Sequence, residues 1–323
     1  MITYLLVFLF GLATICFISI KRESFYRNIF YYLLANLYFL FIVLLLPDGF
    51  ADDQFEYFSF MKYDFDSLLP KYKIMQIASY VPYKLLSFDL MSLRYLFFIN
   101  YILILLFVLK KLNLESTALI FLIIMPSIFL HAGLFLREPI SYIFITFFIF
   151  AILKKKFLIG ILSFLMVFII RPDSAGLLNP LFIYWISNKP RTQFIFSISL
   201  VGVYASLITN TPLEILLNGY RALFGMPDFV ISLRSISYSA FNLLFGSGVL
   251  ETATLIMFIE TIVVLIMLFN IKNKSILVAC WFIGLLIIGS ISDNSGFIVR
   301  MRSPLIIITF ICYFFSRILQ CRI

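Results

Sequence analysis

The stretch FADDQFEYFSF, residues 50–60, places Asp52, Asp53 and Glu56 within five positions and Tyr57 beside them, in a 323-residue chain of which only 13% is charged. On a helix, Glu56 and Tyr57 lie one turn beyond the Asp pair, so all four can share a face. Carboxylates beside an aromatic ring suit a sugar site, and an Asp there can take a proton from a hydroxyl. The pair can equally cap a short helix. A second set is cationic: Arg137 in HAGLFLREP, Arg171 in IIRPD, and Arg300 and Arg302 in FIVRMRSP. Guanidinium is planar, always charged, and holds phosphate or carboxylate through two parallel hydrogen bonds. Glu138 and Asp173 lie beside Arg137 and Arg171; they either join a binding site or form structural ion pairs with those cations. His131, the only histidine, precedes Arg137 by six residues. It is a candidate base, or a hydrogen-bonded packing residue. The chemistry that unites these groups is transfer from a phosphorylated donor. Negative charge grows on a diphosphate as its bond to a sugar breaks, and fixed guanidiniums stabilise that charge without reorganising. Asp52, Asp53 or His131 would deprotonate the attacking hydroxyl.

The elements that must position these groups follow from composition. The chain is 63% hydrophobic with a mean hydropathy of +1.08, against about 45–50% apolar for a soluble domain. Apolar runs of roughly the length a helix needs to cross hydrocarbon recur along it. The expected fold is all-α, a polytopic transmembrane helical bundle of about eleven spans, between ten and twelve. They are placed near 2–20, 28–47, 90–109, 116–135, 139–153, 157–170, 175–187, 193–209, 251–269, 276–292 and 304–316. Residues 1–323 are read as one integral membrane domain. Residues 1–20 carry no basic n-region, which predicts a retained first span. Two outer loops are expected, 48–89 with interfacial helices around KYKIMQIASYVPYKLLSF, and 210–250. Cys16, Cys280, Cys312 and Cys321 show no paired spacing, so neither a disulfide framework nor a zinc site is expected, and no metal or cofactor is implied.

Charge sets the sidedness. One set of alternate loops, 21–27, 110–116, 154–156, 188–191, 270–274 and the C-terminal tail, holds 14 basic residues and only two acidic ones, Glu23 and Glu115. Basic loops stay in the cytoplasm, so the N-terminus is expected outside, the C-terminus inside and the acidic stretch 50–60 outside. Beyond residue 90 every outer cation is Arg: Arg94, Arg137, Arg171, Arg221, Arg234, Arg300 and Arg302. Arg at a span end can merely reach for headgroups. Convergence of the outer span ends would instead make a cationic pocket. Glu260 falls about 13 Å below Glu251 along an apolar span, a depth at which a carboxyl must be neutral or partnered. The net charge of +9 resides largely in the basic loops, and no nucleic-acid partner is expected.

The order of these features resembles the bacterial Wzy-type polysaccharide polymerases, especially the EpsG-like branch. An early outer loop carries ADDQFEYF, a middle pair of spans carries HAGLFLRE and IIRPD, and DNSGFIVRMRSP precedes the last span. The resemblance implies joining of undecaprenyl-diphosphate-linked oligosaccharide repeat units (O-antigen, capsule or exopolysaccharide) at the periplasmic face of the bacterial inner membrane. It implies Arg137, Arg171, Arg300 and Arg302 as diphosphate ligands, with Asp52, Asp53 or His131 as base. A flippase and a chain-length regulator would accompany such an enzyme. The chain lacks a very large late periplasmic loop, the 210–250 segment being the nearest equivalent, which fits the EpsG-like branch better than the ligases. The acidic pair in the first long outer loop also resembles GT-C-type transferases that use a polyprenyl-phosphate sugar, although two spans precede it here. A flippase for the same lipid-linked sugars is the alternative of another class.

Overall fold

The computed structural model describes residues 2–19, 22–45, 53–62, 70–114, 117–118, 120–121, 126–186, 252–271, 276–278, 280–281 and 295–320. Among these residues it is all-helical, with no strand. The principal helices are α1 (Ile2–Ile18), α2 (Arg22–Leu45), α3 (Asp53–Ser59), α4 (Pro70–Tyr80), α5 (Leu90–Lys111), α6 (Pro126–Ala132), α7 (Glu138–Leu153), α8 (Phe157–Ile170), α9 (Pro172–Ile186), α10 (Thr252–Phe269) and α11 (Ser295–Gln320). They fall into two compact units, Met1–Phe150 and Ala151–Ile323.

The first unit is organised around α5. Asp89 caps it, its carboxylate accepting from the Ser92 amide at 2.7 Å, and Lys110 and Lys111 occupy the last turn, where cations oppose the helix dipole. Its middle is apolar and buried, through Phe97, Phe98, Tyr101, Ile102, Leu105 and Leu109. With 22 residues, and a mean hydropathy of 2.1 over its most apolar 18, it is by length and composition long and apolar enough to cross a membrane. The hydroxyls of Thr3 and Ser92 are hydrogen-bonded at 2.8 Å, and the Lys110 ammonium donates to the Ile18 carbonyl at the far end of α1. Start meets start and end meets end, so α1 and α5 run parallel. Between them α2 runs the other way: the Asn28 amide donates to Ser19 at 2.8 Å, the Tyr32 hydroxyl to the Phe8 carbonyl at 3.0 Å, and the Tyr95 hydroxyl to Asn36. The basic segments 22–27 and 110–111 therefore share one end of this unit. Gly11 lets α1 and α2 meet closely, since a Cβ there would fall 2.2 Å from the Tyr32 Oη.

One expected helix is interrupted. The apolar run 116–135 reads as a single span, but α6 ends at Ala132 and residues 133–137 run irregularly before α7 starts at Glu138. Gly133 is a poor helix former, and Pro139 sits in the first turn of α7, where a missing N–H costs nothing. The irregular stretch is buried, including Leu134, Phe135 and Leu136.

The second unit shows a sharper break. Arg171, with φ −142° and ψ 85°, ends α8. The residue before a proline is pushed out of the α region, and Pro172 then opens α9 at a position suited to it. The Phe164 and Phe182 rings stack at 3.9 Å, and Gly160 admits the Trp185 ring, whose Cη2 would meet an added Cβ at 2.2 Å. Helix α11 packs against both α9 and α10, contains Pro304, and accepts a hydrogen bond from the Trp281 ring at Thr309, 3.1 Å.

Large apolar side chains remain exposed in rows at helical spacing. They include Leu5, Leu6, Leu9 and Phe10 on α1, Leu33, Leu37, Leu40 and Phe41 on α2, and Leu158, Leu162, Leu165 and Ile169 on α8. The segment 48–89, expected as an outer loop, contains α3 and also α4, which exposes Ile77 and Tyr80, and the turns after it expose Val81, Leu85 and Leu86. Residues 193–209 and 210–250 lie outside the described residues.

Candidate functional site

The candidate residues occupy three settings. In the first, α3 begins at Asp53 and carries an exposed Glu56 and a buried Tyr57; neighbours in sequence, they point about 100° apart on a helix. The Ser59 hydroxyl donates to the Glu56 carbonyl at 2.8 Å. Asp52 lies outside the described residues.

The second setting is the break between α6 and α7. His131 is on the last turn of α6 and only 4% exposed. Arg137, half-buried, ends the irregular stretch, and its carbonyl accepts from the Ser141 amide at 3.0 Å in the first turn of α7. Glu138, buried, opens that helix, where a carboxylate faces the positive end of the dipole. Arg94, which the sequence singles out only as one of seven outer arginines beyond residue 90, anchors this stretch. The Arg94 Nε donates to the Gly133 carbonyl at 2.9 Å, satisfying a backbone oxygen that the broken helix leaves without its usual partner.

The third setting is in the second unit. Arg171 is 3% exposed at the α8–α9 junction, its amide donating to the Val167 carbonyl at 2.7 Å and its carbonyl accepting from Ala175 at 3.1 Å. Its backbone is thus held at the junction of the two helices. Asp173 is the second residue of α9. Arg300 and Arg302 both belong to α11. Arg302 turns inward: its Nη2 donates to Glu260 Oε2 at 2.6 Å, with side chains 1% and 0% exposed.

That pair answers the question posed by Glu260, a carboxylate in the middle of apolar α10. The sequence required a partner without naming one, because it lies 42 residues away. A buried ion pair adds little net stability over an apolar equivalent, but removing one member strands the other charge at a cost of about 3–5 kcal/mol. The described geometry brings Arg302 to Glu260 and sets Arg137 and Glu138 at one helix break and Arg171 at another. Among the described residues no cluster of three or more His, Cys, Asp or Glu is placed to hold a metal ion. No protein-family model matches the chain, and neither a curated protein nor a solved structure matches it.

Proposed function

We propose that the protein is an integral membrane polymerase of about eleven spans, acting at the outer face of the bacterial inner membrane. It joins oligosaccharide repeat units carried on undecaprenyl diphosphate. The membrane part of this reading is supported by the rows of exposed leucine and phenylalanine on α1, α2 and α8. Water would be a poor solvent for such faces and hydrocarbon a good one. The two basic segments at one end of the first unit agree with a cytoplasmic side there.

The observation that carries the catalytic part is the placing of Arg137 and Arg171 at two buried interruptions of apolar helices. Irregular backbone at membrane depth is tolerated where it is buried in protein or lines a cavity, and broken helices mark binding sites in membrane proteins. In the transfer, a hydroxyl of the incoming repeat unit loses its proton to Asp52 or Asp53. Its oxygen bonds to the anomeric carbon of the nascent chain, the bond from that carbon to the diphosphate oxygen breaks, and undecaprenyl diphosphate leaves. Arginine stabilises the departing charge, Arg137, Arg171 and Arg300 being the candidates. His131 is enclosed, which favours the loop carboxylates as the base. Arg302, already bound to Glu260, holds α11 to α10.

A flippase for the same lipid-linked sugars is the second reading, and the buried Arg302–Glu260 pair favours it, because a substrate path needs charge within the bundle. Deleting the gene and resolving the surface polysaccharide on a gel tests all of these. Collapse of the ladder to a single repeat unit is the expected result. Complete loss with an incomplete lipid-linked precursor points to a GT-C-type transferase, and complete loss with finished repeat units held on the cytoplasmic leaflet points to a flippase.

A further inference from the structure

Arg94 is the one candidate-class cation of the first unit that the proposed reaction leaves without a task. It lies one turn into α5 and is 7% exposed. Its Nε is bound to the Gly133 carbonyl and its Nη1 to the Met91 sulfur at 3.2 Å, while Nη2 is buried with no hydrogen-bond partner. No carboxylate among the described residues pairs with it, and Asp89, five positions earlier, is engaged as the helix cap. A buried cation with no counter-charge is costly, and a thioether is only a weak acceptor for a charged donor. The Nη1–Nη2 edge is the one that receives two oxygens of a phosphate side by side, and here it is given over to a sulfur and to nothing.

Met91 also lines a cavity of about 520 Å³ between α1, α2 and α5, a size typical of small-molecule and lipid sites. Its wall is formed by Leu5, Phe8, Phe39, Leu40 and Val43. Of its polar lining residues, Tyr95 donates through its hydroxyl to Asn36, Asn36 donates through its amide to the Tyr32 carbonyl at 2.7 Å, and Tyr4 lies close to Ser92 and Arg94. Hydrocarbon is therefore the fitting content. Leu5 and Leu40 are more than half exposed and belong to the uncovered apolar faces of α1 and α2, so the cavity opens on the surface assigned above to lipid. Arg94 sits about 6 Å in from the start of a helix of spanning length, close to the level of headgroups.

We infer that Arg94 and this cavity form a lipid-phosphate site, the hydrocarbon chain lying in the cavity and a phosphate displacing the Met91 sulfur from the guanidinium edge. Met91, unbranched and flexible, is the side chain best suited to yield. The inference rests on the membrane part of the proposed function and adds a binding site to it. The lipid is either the polyprenyl diphosphate substrate or a bilayer phospholipid, which share the recognised chemistry.

The test uses the purified full chain in an uncharged detergent, titrated with undecaprenyl diphosphate, phosphatidylglycerol or uncharged undecaprenol, with the thermal unfolding midpoint as readout. The phosphate lipids are expected to stabilise the native chain, and Arg94→Gln to weaken their apparent affinity by about tenfold or more, the loss expected for a charge-assisted hydrogen bond. Undecaprenol is expected to act on both chains alike. Val43→Trp, which fills the cavity and keeps the arginine, is expected to weaken all three lipids. Met91→Leu, which removes the sulfur, is expected to retain phosphate-lipid binding. Preference for undecaprenyl diphosphate over phosphatidylglycerol assigns the site to substrate, and equal response assigns it to bilayer lipid. Unchanged phosphate-lipid affinity in Arg94→Gln overturns the inference; if that variant does not fold, unchanged affinity in Val43→Trp overturns it. A deletion strain with an intact ladder sinks the polymerase reading but leaves Arg94-dependent phosphatidylglycerol binding standing. Normal polymerisation and normal lipid binding by Arg94→Gln sink this inference alone.

Discussion

Arg302 in the second unit and Arg94 in the first are both buried in helices, yet they are accommodated in opposite ways. Arg302 has a carboxylate at 2.6 Å, whereas Arg94 has a carbonyl, a thioether and a nitrogen with no partner. The same side chain at similar burial thus does two different jobs. A guanidinium whose charge is matched by Glu260 needs no counter-charge from outside, although its Nε is also without a hydrogen-bond partner, and it holds two helices together. A guanidinium matched by weak or neutral acceptors is incomplete, and its deficit is met by something from outside the chain. Burial alone does not separate structure from recognition, and the identity of the acceptor does.

Substitutions test the contrast, and the largest effect is expected at the matched pair. Glu260→Ala leaves Arg302 stranded and is expected to cost about 3–5 kcal/mol in unfolding free energy, while replacing both residues by Met should recover most of it. An effect of Glu260→Ala no larger than that of Arg94→Gln would break the comparison. Close helix approaches come next. Gly11→Ala pushes against Tyr32, which is fully buried and tied to the Phe8 carbonyl, and should cost about 1–3 kcal/mol. Gly160→Ala meets the half-buried Trp185, which can swing outward, and should cost less, partly offset by the better helix propensity of alanine. Asp89→Ala removes the α5 cap and should cost about 1 kcal/mol, seen as a lower thermal midpoint. The smallest change is expected for Arg94→Gln without lipid. Loss of its bond to Gly133 is set against relief of an unmatched charge, for a net change below about 1 kcal/mol.

Much of the helical layout is legible in hydropathy because apolar length is what these helices are built from. The run 157–170 coincides with α8, and 90–109 with α5 except for its last two lysine positions. Polar helical ends are read poorly. Helix α2 starts at Arg22 rather than 28, and α11 starts at Ser295 rather than 304, since Arg and Glu are good helix formers that hydropathy counts as breaks. Hydropathy also runs straight through 133–137, because Leu134, Phe135 and Leu136 are as apolar as a helix would be; only Gly133 signals the interruption. In the site, residue types were readable and partners were not. The need for a counter-charge at Glu260 followed from its depth, but its identity as Arg302 is a tertiary fact. The role of Arg94 was hidden for the same reason, since Gly133 is distant in sequence and a lone arginine near a helix start looks like any headgroup contact.

The two bonds that tie α1 to α5, Thr3 to Ser92 and Lys110 to Ile18, span 89 and 92 positions. During synthesis α1 and α2 emerge long before either partner exists. Until α5 arrives, the last carbonyls of α1 lack their ammonium and its flank lacks the surface that covers it. The α1–α2 pair can form first, but the first unit closes only when α5 arrives, and a nascent chain halted before residue 90 should be a short-lived target for membrane proteases.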